Sequence, residues 1–162
     1  MTRDRRRKAE IRVYQAAAGT PYMVARRQVA LPTLAEVMQQ HPQLNYFGIG
    51  VFEPLRKTAE QRRTELAAGR EELAGSEAVV METAAWLREN ITPIKTPTVG
   101  SYGMKHVMEH ATGVYVTNGE FIAAALIAGY TFKYTVPNVL FGMSARDVKR
   151  MNSAPRQPRR YR

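Results

Sequence analysis

The stretch Thr117-Asn118-Gly119-Glu120-Phe121-Ile122-Ala123-Ala124-Ala125-Leu126-Ile127-Ala128-Gly129 decides how this chain is read. Thr117 and Glu120 have the spacing of a capping box, in which hydroxyl and carboxylate each satisfy an orphan N–H at a helix start. Every residue from Phe121 to Ala128 is apolar, and a helix apolar on all sides belongs in an interior. Gly129 supplies the stop.

On the C-terminal side, Thr131 to Val136 alternates as a strand. Phe132, Tyr134 and Val136 share one side, Lys133 and Thr135 the other. Pro137-Asn138 marks a turn and Val139-Leu140-Phe141 a returning strand. Ser144 is placed to cap a final helix over Ala145–Met151. On the N-terminal side, Ser101 is expected to cap a helix reaching Thr112, with Met104, Val107, Met108 and Ala111 inward and Lys105 and His106 on an exposed face. Gly113 closes that helix, and Val114–Val116 reads as a short extended piece. Ser76 is expected to cap the helix before it, whose face of Val79, Val80, Thr83, Ala84, Trp86 and Leu87 should place the single tryptophan in the core. Residues 91–100, with two prolines and a terminal glycine, read as an ordered connector.

Helices over 76–90, 101–112 and 118–128 followed by a hairpin over 131–141 have the order of a winged-helix DNA-binding unit. In that arrangement the third helix enters the major groove, while Lys133, Thr135 and Asn138 on the hairpin touch the backbone. The objection is chemical: Phe121–Ala128 has no polar side chain to read a base edge, and only Thr117, Asn118 and Glu120 could reach out. The alternative is a small α/β core with the apolar helix at its centre or in a dimer contact.

The N-terminal part is helical in short pieces. Residues 4–17 carry Ile11, Val13, Tyr14 and Ala17 as a narrow stripe among arginines. Thr20-Pro21 starts a second helix and Pro32-Thr33 a third, with Leu34, Val37 and Met38 inward. Residues 41–54 are apolar and aromatic, fit for a short strand or for a loop buried against a later helix. Residues 55–75 read as a charged connecting helix whose thin stripe is interrupted by Arg62, Gly69 and Arg70. The expected organisation is a basic helical region over 1–53, the connecting helix over 54–75, a compact α/β unit over 76–151 and a basic disordered tail over 152–162. The fold class is α+β, mainly α.

Charge is distributed unevenly. The net charge is +10, yet residues 31–151 hold twelve basic and twelve acidic side chains. All the excess lies at the ends, in Arg3, Arg5, Arg6, Arg7, Lys8, Arg12, Arg26 and Arg27 and in Arg156, Arg159, Arg160 and Arg162. Such ends attract phosphate, anionic lipid or acidic protein by salt-sensitive forces, or serve only to keep the chain in solution. The absence of cysteine removes disulfides and thiolate metal sites and suits a reducing compartment. The basic start has no apolar run behind it and does not read as a secretory signal. The longest apolar stretch, residues 121–132, falls short of the roughly 20 residues of a membrane span.

Two constellations could carry chemistry. His106-Val107-Met108-Glu109-His110 spells H-x-x-E-H, which on a helix places two imidazoles on one face as zinc ligands with a glutamate to activate water. A third protein ligand is wanting, since only Glu120 and Asp147 follow. Ser101, Tyr102, Lys105 and His106 form a second polar cluster, without a predictable carboxylate to orient it. Neither supports an enzyme, and no metal or cofactor is expected.

The run SYGMKHVMEHATGVYVTNGEFIAAALIAGY, residues 101–130, with PNVLFGMS at 137–144, resembles a group of uncharacterised proteins of bacterial plasmids, prophages and related mobile elements. The likeness covers roughly residues 80–150. AGTPYMVARRQV, residues 18–29, is similar to short basic segments of actinobacterial plasmid proteins. The resemblance implies a mobile-element setting and carries over no catalytic residue.

These readings together lead to the expectation of a cytoplasmic, non-enzymatic nucleic-acid-binding accessory protein, for DNA in preference to RNA, with no membrane partner and room for a homo-oligomer. Phosphate contacts are expected from Arg5, Arg6, Arg7, Lys8, Arg12, Arg26 and Arg27, then from Lys105, His106, Lys133, Arg159 and Arg160. The alternative is an adaptor assembling through the 118–128 helix.

Overall fold

The structure, a computed structural model, describes residues 3–19 and 31–158. The chain divides into two units, Met1–Pro32 and Thr33–Arg162. In the first, helix α1 spans Arg3–Ala18. Val13, expected on its apolar stripe, is exposed. The second helix expected from Thr20-Pro21 lies outside the described residues.

The second unit is built around one buried helix. It begins with α2 (Leu34–Gln40), whose Thr33 and Glu36 form a capping box and whose Leu34, Val37 and Met38 are buried. Strands β1 (Leu44–Asn45) and β2 (Gly48–Ile49) pair antiparallel in a tight hairpin, so the aromatic stretch over 41–54 is in part a strand pair. A 3-10 turn at Pro54–Arg56 leads to α3 (Ala59–Ala74), and then to α4 (Glu77–Asn90). The connector ends in β3 (Val99–Gly100), followed by α5 (Ser101–Thr112) and α6 (Asn118–Ala128). Strands β4 (Phe132–Thr135) and β5 (Asn138–Phe141) and helix α7 (Ala145–Asn152) complete it. The second sheet has the order β3-β5-β4 and is antiparallel throughout. The architecture is α+β and mainly helical.

The capping box at Thr117 and Glu120 forms as its spacing dictates, and Gly129 ends α6 at a φ of 84°, a left-handed conformation that glycine adopts without penalty. Every residue of α6 from Asn118 to Ile127 is buried. It packs chiefly on α4 and also meets α2, α5 and both sheets. The cover at its start is close: the Gly119 N–H donates to the Tyr46 carbonyl at 3.1 Å. The helix–turn–helix–hairpin order is therefore present, with a third strand added, but its last helix lies inside the unit. It cannot enter a groove, nor meet a second copy as the adaptor alternative required. Burial of apolar side chains all round it excludes both.

Other expectations are corrected by packing. Trp86 is only partly buried, whereas Val80, Ala84 and Leu87 on the same helix are sealed. Ser76 occupies the N-cap position of α4 without capping it; its hydroxyl donates instead to the Glu72 carbonyl at 3.2 Å. β4 is exposed along both faces despite its alternating pattern, and the buried positions of the hairpin are Val139 and Phe141 on β5. Gly69 and Arg70 do not interrupt the packing of α3 but create it. A Cβ on Gly69 would stand 3.2 Å from the Asn45 side chain, and the Gly69 carbonyl accepts from the Tyr46 N–H at 2.8 Å. Residues 153–158, expected to be disordered, run back over the end of α5. The Gln157 N–H donates to the His110 carbonyl at 3.1 Å, and the Pro158 carbonyl stands 2.1 Å from where a Cβ on Gly113 would be.

Candidate functional site

Helix α5 carries a cluster of polar and aromatic side chains. Its N-cap is Gly100, so Ser101 is the first helical residue and is fully buried. The Ser101 hydroxyl donates to Asn118 Oδ1 at 2.9 Å and accepts from the Val139 N–H at 3.2 Å. Asn118 in turn donates to Asn138 Oδ1 at 3.1 Å and to the Phe47 carbonyl at 3.3 Å. This chain of bonds knits α5, α6, the wing hairpin and the β1–β2 turn, and it commits Ser101 to structure rather than to nucleophilic chemistry.

One turn on, Lys105 departs from its expected exposed position: it is 4% exposed. Its Nζ donates to Glu109 Oε1 at 2.8 Å and to the Val116 carbonyl at 3.2 Å, because a buried ammonium needs both a counter-charge and acceptors. The rings of Tyr102 and Tyr115 flank it, with centroids 5.5 and 5.0 Å from Nζ, in the range of a cation–π contact. His106 lies outside this core. Its Nδ1–H donates to Glu109 Oε2 at 2.8 Å, and its ring meets Tyr102 edge-on at 4.8 Å. Burial alone would push the Glu109 carboxyl up, but hydrogen bonds from Lys105 and His106, with the nearby Lys105 charge, hold it below its usual value.

These partners also dismantle the H-x-x-E-H reading. His106 is turned to Glu109, while the His110 Nε2–H donates to the Ala154 carbonyl at 2.9 Å. Among the described residues no group of three His, Asp or Glu side chains is placed to hold a metal ion. The glutamate that would activate water is instead the counter-ion of a buried lysine.

Of the expected phosphate contacts, Lys8 and Arg12 are exposed on α1, and Lys133 is exposed on β4. Arg5, Arg6 and Arg7 belong to α1 as well. Arg26, Arg27, Arg159 and Arg160 lie outside the described residues. His106 is exposed, and Lys105 is withdrawn from any direct contact. Glu109 and Tyr115 were not singled out as partners of this cluster, although Lys105 and Glu109 have the i,i+4 spacing of a helical ion pair. Nothing local to Tyr115 shows that the turn after α5 folds it over Lys105.

A second aromatic group joins α2 to the wing. His41 Nδ1 hydrogen-bonds the Tyr134 hydroxyl, and the His41 ring lies 5.4 Å from Phe132, edge to face. Partial burial holds the His41 imidazole below its usual 6.5 and raises the Tyr134 phenol above its usual 10.0. For a base with a depressed folded value, the folded state resists protonation. The corresponding stability is therefore complete above pH 6.5 and is lost as pH falls from there towards the depressed value. His41→Gln is expected to flatten the pH dependence of stability over that window, as read from denaturant midpoints by circular dichroism. An unchanged slope in the variant would show that His41 does not contribute it.

No helix among the described residues is long and apolar enough to cross a membrane. No family model, curated protein or solved structure matches the chain.

Proposed function

We propose that this chain is a non-enzymatic nucleic-acid-binding accessory protein, acting on DNA in the cytoplasm, whose arginine-rich ends hold phosphates. The observation that carries this reading is the segregation of charge: residues 31–151 are neutral in sum, so the whole net charge of +10 sits in the flanking segments. Lys8 and Arg12, exposed on α1, fit that role. The burial of α6 argues for affinity without major-groove readout by that helix, so binding is largely independent of sequence.

Phosphate neutralisation releases counterions, and the dependence of log affinity on log salt steepens by about 0.9 for each phosphate contacted on duplex DNA. Fluorescence anisotropy with a labelled duplex across a salt series tests this in the full chain. The wild type is expected to weaken steeply with salt. A variant with Arg5, Arg6, Arg7, Lys8 and Arg12 all replaced by glutamine is expected to bind more weakly with a shallower slope. Binding indifferent to both salt and these five substitutions would refute the proposal.

A further inference from the structure

We infer that the groove between α5 and α7 seats an amphipathic helix of a partner protein, one whose apolar face is flanked by acidic side chains. The site is separate from the arginine-rich ends and does not depend on the nucleic-acid reading. The two helices pack on each other and leave between them a largely apolar groove of about 500 Å³. α5 lines it with Gly100 at its cap and with Gly103, Met104 and Val107. α7 lines it with Ala145, Val148, Lys149 and Asn152. Both sets follow the i, i+3, i+4, i+7 spacing of one helix face. Gly103, Ala145, Lys149 and Asn152 are exposed, so the groove is open to solvent on both walls.

The shape fits a helix. Two helical faces side by side over two turns, roughly 10 Å of axis, present the ridges on which a third helix packs. An amphipathic helix enters such a groove through anchors at the same spacing. Small residues stand on both walls. A Cβ on Gly103 would meet nothing within 4 Å, so no described neighbour requires glycine there, although glycine weakens a helix relative to alanine. Together with Ala145 on the other wall, Gly103 leaves room for a bulky side chain from outside.

Charge selects the occupant. Lys149 lines the groove, and the exposed Arg146 lies three residues before it, on the same side of α7. Among the described residues neither has an ion-pair partner. Their neighbour Arg150 is engaged instead, with Asp147 at 3.3 Å and with the Asn90 carbonyl at 2.8 Å. Two exposed cations beside an apolar floor suit carboxylates that flank an apolar face. A second copy docked here about a two-fold axis would bring Arg146 and Lys149 towards their own counterparts, since such an interface uses the same patch twice. A phosphate backbone would meet the cations but leave Met104, Val107 and Val148 without apolar cover.

The test is anisotropy titration of the full chain with two labelled synthetic peptides of about 18 residues, long enough to hold a helix. Both repeat leucines at i, i+3, i+4 and i+7 on an alanine background, with glutamates flanking the leucine face in one and lysines in the other. Wild type is expected to bind the glutamate peptide and to reject the lysine peptide. Arg146→Glu/Lys149→Glu changes two exposed positions and is expected to weaken the glutamate peptide roughly tenfold or more while strengthening the lysine peptide. Gly103→Leu places a side chain in the groove and is expected to weaken the glutamate peptide at unchanged rim charge. In the wild type, which needs no variant to fold, amide NMR shifts caused by the glutamate peptide should map to Gly103, Val107, Val148 and Lys149. No binding of that peptide, equal binding of the two, affinity that survives both variants, or shifts confined to other segments would overturn the site. A dimer seen by sedimentation that Gly103→Leu disperses would give the groove to a second copy. Duplex DNA shifting the same amides would give it to nucleic acid. Either result would overturn the proposal, and none of these outcomes bears on binding of DNA by the arginine-rich ends.

Discussion

Gly119→Ala is expected to destabilise the protein by about 3 kcal/mol or more, in the upper part of the range for overpacking a closed contact. The prediction runs against helix propensity, which favours alanine over glycine by about 1 kcal/mol in a helix interior. Packing decides the sign. A Cβ on Gly119 would stand 1.9 Å from the Asn45 carbonyl oxygen and 2.6 Å from both carbon and oxygen of the Tyr46 carbonyl. These are backbone atoms of a hairpin pinned on its other side, and they cannot rotate away as a side chain could. The Asn45 side chain donates to the Gly50 carbonyl at 2.6 Å and accepts from the Phe47 N–H at 2.9 Å, so the hairpin is locked from within. Gly103→Ala provides the contrast: a Cβ there meets nothing within 4 Å, and propensity alone predicts stabilisation of about 0.5–1 kcal/mol. Urea midpoints of the two variants, followed by circular dichroism, should move in opposite directions. A stabilised Gly119→Ala protein would mean that the hairpin does not close over α6. In that case the start of α6 would be uncovered, while its packing on α4 would still keep its length out of a groove.

Arg70→Ala is expected to cost about 3 kcal/mol, with Arg70→Lys recovering only part of the loss. The Arg70 guanidinium donates to the Met38, Pro42 and Leu44 carbonyls at 2.9, 3.0 and 2.9 Å, and to the His41 carbonyl at 3.2 Å. Those acceptors lie at the end of α2 and in the turn after it, where a helix leaves its last carbonyls without internal partners. A cation there also meets the negative end of the helix dipole. Removing the side chain takes the guanidinium donor from the part-buried Met38 and Leu44 carbonyls together, and an unsatisfied buried acceptor costs about 1–3 kcal/mol. Lysine has the charge but not the planar fork that reaches several acceptors in fixed directions. Denaturant unfolding of the three proteins checks the order. Equal stability of wild type and Arg70→Ala would show that water replaces the guanidinium without loss.

Both sites bear on function, because both secure the layer that covers α6. Residues 34–50 supply part of that cover, over the start of α6, and the signals for it were poor. Asn45 looks like an ordinary loop residue and Gly69 like a flaw in a helix. Their complementarity exists only when α3 and the hairpin meet. The same holds for Lys105. Its place one turn after Ser101 suggested an outward-facing cation, and only the fold of the segment after Gly113 brings the Val116 carbonyl and Tyr115 over it. His106 and His110 matched a zinc motif by spacing, yet spacing does not decide which partner each ring finds. Glu109 and the Ala154 carbonyl, the latter 44 residues away, settled that.

The sequence by itself determined those features whose cause is local. The helix start at Pro32-Thr33, the capping box at Thr117, the stops at Gly113 and Gly129, the turn at Pro137-Asn138 and the interior character of Phe121–Ala128 all depend on residues within one or two turns of chain. The sequence likewise determined the neutrality of the middle and the basicity of the ends, because charge is a sum over composition. Tertiary structure alone decided what covers α6, which cations remain exposed and which aromatic rings stand at the surface around Lys105. These depend on contacts between segments far apart in the chain. Such contacts form where two surfaces fit in volume and in hydrogen bonding, and neither surface carries the shape of its partner in its own sequence.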